Sequence, residues 1–122
     1  MFYIAGPMRG YEDFNMHEFD RVAELLRSRG FKVVNPIDID REKGVELHGK
    51  SEIEELGWDR VDMINVIQRD IEALLGCSDI VLLQGWRDSV GACAELGVAI
   101  WAGLKIWELD KDGSTIWQVD TE

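Results

Sequence analysis

The chain of 122 residues alternates short apolar runs with segments that have the periodicity of helices. Four runs predict buried strands, and a fifth, Ile116–Val119, predicts either a further strand or a tail that docks on a partner. The four are Phe2–Ala5, Phe31–Val34, Asp79–Leu83 and Leu104–Trp107. Strands that alternate with helices predict a flavodoxin-like or Rossmann-like α/β fold, with a doubly wound parallel sheet of four to five strands in a single domain over residues 1–122.

Helices are predicted where apolar residues recur at intervals of three and four between these runs. Asn15 and Glu18 predict a capping box at the start of the first helix, which ends at Gly30 and has an apolar face of Phe19, Val22, Ala23 and Leu26. A second long helix is predicted from Asp59 to Gly76, with an apolar stripe of Ile64, Ile67, Ile71 and Leu74. Residues 37–50 are polar and contain glycines, which predicts a loop or lid. Residues Ser51–Glu54 predict another capping box over a short turn.

Glu95 is the most informative residue, because residues 90–102 contain no other charge. A helix that is apolar all round is usually buried, and a buried carboxylate costs roughly several kcal/mol unless it is paired or used. The segment follows an apolar strand, which places Glu95 near the carboxyl end of that strand, where open α/β sheets bind ligands. Glu95 is therefore a nucleophile, a general base or a buried structural acid, and its apolar surroundings favour function.

Two segments are candidates for binding an anion. The loop Gly6-Pro7-Met8-Arg9-Gly10 follows the first strand, and its glycines allow backbone N–H groups to approach an anion while Arg9 adds a charged donor. The same loop is also compatible with a plain strand-to-helix turn. Ser89, with Gly91 two residues later, begins the helix of Glu95, where its hydroxyl caps the helix, contacts a ligand phosphate, or does both.

Two further residues are candidates for the chemistry of Glu95. Helical spacing places Asp70 away from the polar face of its helix, in line with Met63 and Val66, so it is either a second acid or a rim residue paired with a neighbour. Tyr3 either fills the core or brings its hydroxyl to the carboxylate above the neighbouring strand. Two carboxylates and a sugar suggest glycosidic-bond chemistry, in which one carboxylate attacks the anomeric carbon and the other protonates the leaving group.

Composition narrows the choice of partners. The net charge of −11 argues against free nucleic acid as a partner, although a nest of N–H groups with one Arg can still hold a small anion. No apolar run reaches 18 residues and no signal peptide is recognisable, so neither a membrane-spanning nor an exported protein is expected. Cys77 and Cys93 are interpreted as reduced packing residues of a cytoplasmic protein. His17 and His48 have no companion at ligand spacing, so no metal site is predicted.

Several of these segments together resemble the nucleoside 2-deoxyribosyltransferase superfamily. They extend from Phe2 to about Ile106 and comprise Tyr3–Gly10, Asn35-Pro36, Arg69–Ile71, Cys77–Asp79 and Gly85–Gly97. The nearest branch is a small group of deoxyribosyltransferase-like domains, found mostly in bacteria and phages. The 2′-deoxynucleoside 5′-monophosphate N-hydrolases are a further relative.

The resemblance implies a role for each candidate residue. Glu95 corresponds to the nucleophile that attacks C1′ of a deoxyribose, Tyr3 to the residue that orients it, and Asp70 to the acid that serves the departing base. Nucleoside transferases tend to carry an Asp where this chain has Ser89, whereas the monophosphate hydrolases carry a Ser there and an Arg at the position of Arg9. The resemblance thus implies a phosphate and sugar cradle of Gly6, Pro7, Met8, Arg9, Gly10, Ser89 and Gly91.

The resemblance further implies that the reaction needs no metal and no cofactor. It leaves open whether the deoxyribosyl group passes to water or to another base. Ser89 and Arg9 favour a 5′-monophosphate, so the leading hypothesis is cleavage of the N-glycosidic bond of a 2′-deoxynucleoside 5′-monophosphate through a deoxyribosyl-Glu95 intermediate. Base exchange on free deoxynucleosides is the alternative. It implies a homodimer or larger homo-oligomer in which a neighbour completes the pocket, with Trp107 and Trp117 as candidate interface residues. A non-catalytic nucleotide sensor or interaction module that keeps the pocket remains an alternative.

Overall fold

The computed structural model describes residues 1–42 and 60–119, and its centre is a five-stranded sheet. The strands are β1 (Phe2–Ala5), β2 (Val33–Val34), β3 (Asp79–Leu82), β4 (Lys105–Leu109) and β5 (Ile116–Gln118). Their order is β2-β1-β3-β4-β5, with β5 antiparallel to β4 and the other pairs parallel. This is the predicted flavodoxin-like order, and the run at Ile116 forms the last strand of the sheet.

Helices of the described part cover both faces of the sheet. They are α1 (Met16–Ser28), α2 (Pro36–Glu42), α3 (Arg60–Leu75) and α4 (Val90–Ala102). Successive side chains of a strand point to opposite faces, so Phe2 and Ile4 join the core under α1, whereas Tyr3 and Ala5 join the core under α3 and α4. The fold is therefore the doubly wound single-domain α/β architecture that the periodicity predicts. No helix within the described ranges is long and apolar enough to cross a membrane.

The pairing of the two central strands positions the site. Strand β1 pairs with β3 so that Tyr3 lies opposite Ile80 and Ala5 opposite Leu82. Both strands consequently end at the same edge of the sheet, where the glycine loop leaves β1 and the turn to α4 leaves β3. The parallel pairing of two short strands thus brings residues far apart in sequence to one place.

The start of α1 differs from the predicted capping box. Asn15 does precede the helix, but its backbone is left-handed, with φ of 62°, and its side chain makes no capping hydrogen bond. Instead, the side-chain Nδ2 of Asn15 donates to the carbonyl of Pro7 at 3.0 Å, while Glu18 pairs with Arg21. Asp13, Phe14 and Asn15 all have positive φ, a conformation that costs non-glycine residues about 1–3 kcal/mol each. This turn redirects the Asn15 side chain from the helix to the glycine loop.

The prediction of a loop over residues 37–50 is wrong for its first part. Residues 36–42 form α2, where the side chain of Asn35 accepts a hydrogen bond from the N–H of Ile37 at 3.1 Å. Pro36 occupies the first helical position, for which its fixed φ is suited. The remainder of that segment, the capping box predicted at Ser51–Glu54 and the helix start predicted at Asp59 lie outside the described residues.

The expectation that α4 is buried all round is also wrong. Only Ala92 and Ala99 are buried, while Val90 is 88% and Trp101 90% exposed. A surface helix contacts the sheet along one side only, and a small domain has no further layer to cover the other side. Part of the stripe predicted on α3 is exposed as well. We use the name apolar helix face for five exposed apolar side chains of the two helices: Ile64, Ile67, Val90, Ile100 and Trp101.

Two other side chains differ from their predicted places. Cys93 is exposed and not packed, whereas Cys77 is buried as expected, and both are free thiols. The Trp107 ring packs against Phe2 inside the subunit, and its N–H donates to Asp79 Oδ2 at 2.9 Å. Trp117, by contrast, is 48% exposed. Trp107 is thus engaged within its own subunit.

Candidate active site

A cavity of about 540 Å³ opens at the carboxyl ends of β1 and β3, beneath the first turns of α4. It is large enough for a nucleotide-sized ligand. Its walls are mostly apolar and include Met8, Tyr11, Phe14, Met63, Val66 and Ile71. The charged residues that line it are Arg9, Asp40, Arg69, Asp70, Asp88 and Glu95. Every predicted site residue except Gly10 lines this one cavity.

Tyr3 and Glu95 meet at the base of the cavity. Tyr3 is completely buried in β1, and its hydroxyl donates a hydrogen bond of 2.5 Å to Glu95 Oε2. The contact joins the central strand to the second turn of α4, across 92 positions of sequence. The predicted approach of the Tyr3 hydroxyl to the carboxylate is therefore present in the structure.

Burial controls the protonation of Glu95. Burial raises the pKa of this carboxyl, the hydrogen bond from Tyr3 lowers it and the negative charge of Asp70 raises it, and the net result is a pKa of about 7 in place of 4.5. The pKa of the Tyr3 hydroxyl lies well above its usual value, because the ring is buried and because Glu95 and Asp70 are both negative. Tyr3 therefore stays protonated and remains a donor over the physiological pH range.

Asp70 forms the second acid of the cavity. Its Oδ1 accepts hydrogen bonds from Arg69 Nε at 3.1 Å and from Arg69 Nη2 at 3.0 Å. Burial nevertheless raises the pKa of Asp70 from 3.8 to about 6, since desolvation outweighs the attraction of Arg69 and the carboxylate of Asp40 adds to the rise. Asp70 is paired with its neighbour Arg69, as predicted for a rim residue. It also lines the cavity, as the predicted role of a second acid requires.

Arg69 and Asp40 are site residues that the sequence interpretation missed. Arg69 has the helical spacing of a polar-face residue, but its side chain is only 14% exposed and its Nη2 also donates to Asp40 Oδ1 at 2.5 Å. Asp40 is buried on α2. The available signal was the Asn35-Pro36 helix start, because residues at i and i+3 share a helix face and the apolar Ile37 would have directed Asp40 inward.

The glycine loop has a structural requirement at each end. A Cβ on Gly6 would lie 2.7 Å from the Cβ of Leu83, so this position has to be Gly for β1 and β3 to end side by side. Gly10 has φ of +81°, which favours Gly without steric crowding. Between them, the exposed Arg9 lines the cavity and makes no ion pair with any residue in the described ranges. Arg9 is thus the cation that a ligand can engage.

Ser89 and Gly91 form the opposite wall at the start of α4. The Ser89 hydroxyl accepts a hydrogen bond from the N–H of Ala92 at 3.1 Å, which makes it the N-cap of the helix. A Cβ on Gly91 would meet no atom within 4 Å, so the backbone here faces open space. The first turn of a 13-residue helix therefore presents N–H groups and its positive dipole end to the cavity.

The chain belongs to the family described as "Domain of unknown function (DUF4406)", whose model matches residues 1–108. No curated protein and no solved structure matches the chain. The matched range contains the whole cavity, including the glycine loop, both carboxylates and the start of α4. Because the family description names no activity, the functional conclusion depends on the geometry of that cavity.

Proposed function

We propose that the protein cleaves the N-glycosidic bond of a 2′-deoxynucleoside 5′-monophosphate, with water as the acceptor. The observation that carries the proposal is the pair of carboxylates, Glu95 and Asp70, in one cavity, the first of them bonded to the Tyr3 hydroxyl. The resemblance to the nucleoside 2-deoxyribosyltransferase superfamily supports it, since it implies that Glu95 is the nucleophile, Tyr3 the residue that orients it and Asp70 the acid for the departing base. We place the reaction in the cytoplasm, where the thiols of Cys77 and Cys93 remain reduced.

The reaction takes two displacements at C1′. A carboxylate oxygen of Glu95 attacks C1′, the bond from C1′ to the base nitrogen breaks, and the departing base takes the proton of Asp70. This leaves a deoxyribosyl ester on Glu95. Water then attacks C1′, transfers a proton to Asp70 and releases the Glu95 carboxylate. The products are the free base and 2-deoxyribose 5-phosphate, with the anomeric configuration retained.

The pKa values of the two acids affect how much of the enzyme is active. Attack requires ionised Glu95 with protonated Asp70, yet the pKa of Glu95 is about 7 and that of Asp70 about 6. Among molecules that carry one proton on this pair, only the share with the proton on Asp70 and with Glu95 ionised has the active arrangement. Because the Tyr3 hydrogen bond lowers the pKa of Glu95, it increases that share.

Arg9 and the start of α4 support a 5′-phosphate as the group that orients the substrate. Arg9 supplies a cation without a protein partner in the described ranges, and residues 89–91 supply the helix N-terminus and open backbone. Asp88 also lines the cavity and reduces the positive potential there. Phosphate preference therefore depends on Arg9 being available.

The first experiment measures base release from a panel of deoxynucleoside monophosphates and the matching free nucleosides, with and without a second base. We expect free base from a monophosphate, and loss of turnover in Glu95→Gln but not in Glu24→Gln, an exposed acid on α1. Base exchange on free nucleosides would instead assign a transferase. A compound of this panel that raises the melting temperature of the wild-type protein without being turned over would indicate a binding module.

A second experiment tests the phosphate contact. Arg9→Ala should reduce the preference for dCMP over deoxycytidine in kcat/KM, or the equivalent preference for whichever base is turned over. Arg29→Ala, at the far end of α1, serves as the control for a lost surface charge. Unchanged discrimination in Arg9→Ala would exclude Arg9 from phosphate binding.

We further propose that a second copy of the chain covers the apolar helix face in a homodimer or larger homo-oligomer. Ile67 and Val90 belong both to that face and to the cavity lining, so a partner seated there would also close the cavity mouth. Exposed apolar surface of this kind marks interaction sites. Sedimentation should show that Trp101→Glu dissociates the assembly whereas Trp117→Glu does not. The opposite result would place the interface at β5.

A further inference from the structure

We propose that Asp40 is a positioning residue for the reaction, which acts on Asp70 through the guanidinium group of Arg69. The inference rests on the proposed function of Asp70 as the acid for the departing base. Arg69 Nη2 donates to both carboxylates, so one planar group connects α2 to the acid on α3. Asp40 is thereby linked to a reacting group without having to contact the reacting atoms.

The burial of Asp40 shows that its charge is maintained at a free-energy cost. Its side chain is 7% exposed, and burial raises the pKa of its carboxyl while Arg69 lowers it. Replacing a buried ion pair with apolar residues of similar volume is often neutral or stabilising. Stability alone therefore gives little reason for a second carboxylate on an arginine that already pairs with Asp70.

The geometry shows what Asp40 does for the acid. Both hydrogen bonds from Arg69 end on Oδ1 of Asp70, which leaves Oδ2 as the oxygen that can carry the proton to the base. Arg69 held by Asp70 alone could rotate with it, but the anchor on Asp40 fixes the guanidinium plane and hence the Asp70 carboxyl group. Asp40 also shares the positive charge that would otherwise act on Asp70 alone.

Within the part of the chain that the structure describes, the charged and titratable groups around Asp70 come from four elements. Arg69 lies on α3, the helix of Asp70 itself, while Asp40 lies on α2, Tyr3 on β1 and Glu95 on α4. Arg69 favours the ionised form of Asp70, whereas Asp40 and the carboxylate of Glu95 favour the protonated form. Removal of the Asp40 charge therefore makes Asp70 lose its proton at lower pH.

The test uses Asp40→Asn, which keeps an acceptor for Arg69 but removes the charge, with Asp38→Asn on the same helix as the control. Carboxyl ¹³C NMR should show the Asp70 titration midpoint falling in Asp40→Asn and unchanged in Asp38→Asn. The ratio of kcat/KM to wild type should be near one at low pH and should fall as pH rises through about 6. A neighbouring charge typically shifts a pKa by about one unit, so the loss should level off at about tenfold.

The outcomes separate this inference from the proposed function. If the wild type releases base but the Asp70 midpoint in Asp40→Asn does not move, the role of Asp40 is wrong and the glycosidase proposal stays intact. The same holds if Asp40→Asn loses the same factor in rate at every pH. A lowered midpoint without any turnover by the wild type would support the link and reject the glycosidase. A second measurement, which needs no variant to fold, is the titration of the Asp40 and Asp70 carboxyl groups in the wild type. The titration curve of each should show a step at the midpoint of the other, and two independent single steps would also overturn the inference.

Discussion

Tyr3→Phe provides the sharpest test of how the cavity prepares Glu95, the proposed nucleophile. The substitution removes the hydroxyl that donates to Glu95 Oε2 at 2.5 Å and keeps the ring that fills the core. Without the donor the ionised carboxylate loses stabilisation, so the pKa of Glu95 should rise above about 7. A larger fraction of the enzyme is then protonated on Glu95 and unable to attack.

The size of the effect follows from the charge on the acceptor. A hydrogen bond to a charged group contributes about 1.5–3 kcal/mol, which at 1.36 kcal/mol per unit is about one to two pKa units. At pH values well below the wild-type pKa of about 7, the ionised fraction of Glu95 should therefore fall by about 10- to 150-fold. Well above the raised pKa, Glu95 is ionised in both proteins and this part of the deficit disappears.

The assay is the ratio of kcat/KM for Tyr3→Phe to that of the wild type, measured from pH 5 to pH 9. The titration of the substrate phosphate cancels in this ratio. We expect a constant deficit below about pH 7 and a shrinking deficit above it. Tyr3 itself does not ionise in this range, because its pKa is well above the usual value. A deficit that persists at pH values well above the raised pKa of Glu95 measures orientation alone.

A ratio that is equal at pH 6 and pH 9 would refute this account of Glu95 ionisation. The second tyrosine of the chain provides the control, since the Tyr11 hydroxyl lies over Gly85, whereas it is the Tyr3 hydroxyl that donates to Glu95. Tyr11→Phe should leave the shape of the pH profile unchanged. The expected pH dependence is also opposite to that of Asp40→Asn, whose deficit grows as pH rises, so the two variants distinguish the nucleophile from the acid.

Three further predictions concern stability and ligand space. Because the pKa of Glu95 is about 7 when folded and near 4.5 when unfolded, its ionisation should destabilise the fold by about 3 kcal/mol at pH 8 and by little at pH 4. Glu95→Gln should thus raise the melting temperature at pH 8 only, and an equal change at both pH values would contradict this. Gly91→Ala should leave thermal unfolding unchanged but raise KM about fivefold, through roughly 1 kcal/mol of lost contact. Unchanged KM would exclude a close ligand there. Gly6→Ala should destabilise by about 1–3 kcal/mol in denaturant unfolding because its Cβ would overlap Leu83, and wild-type stability would show that the strands can separate.

The sequence predicts the fold well because its signals are local. Strand and helix periodicities need only a few neighbouring residues, and the rules of parallel sheets convert their alternation into a strand order. The contact between Tyr3 and Glu95 was foreseeable for the same reason, since adjacent parallel strands end at one edge. The periodicity of α4, in contrast, cannot tell an inner helix from one that lies on the surface of a small domain, and Trp101 is exposed in consequence.

The missed residues depend on contacts that no local pattern encodes. Asp40 and Arg69 are 29 positions apart and meet only after α2 and α3 have packed at the rim of the cavity. Arg69 has the spacing of a polar-face residue, yet a long side chain can turn from one helix face to another. The helix start at Asn35-Pro36 was a usable sign of α2, but the partner of Asp40 was not.

The balance of charges in the cavity bears on its chemistry. Within the described ranges, the carboxylates of Asp40 and Asp70 both pair with the Arg69 guanidinium group, and the Glu95 carboxylate lines the same cavity. A purely structural ion pair would be satisfied with one acid, and each additional buried acid raises the pKa of the others. Because the pKa values of Asp70 and Glu95 are about 6 and about 7, these two carboxyl groups hold a proton near neutral pH. A site built to hold an anion alone has no use for such an excess of acids. A site that donates a proton to a leaving group and then takes one from water has a use for it, which is why we favour catalysis over binding.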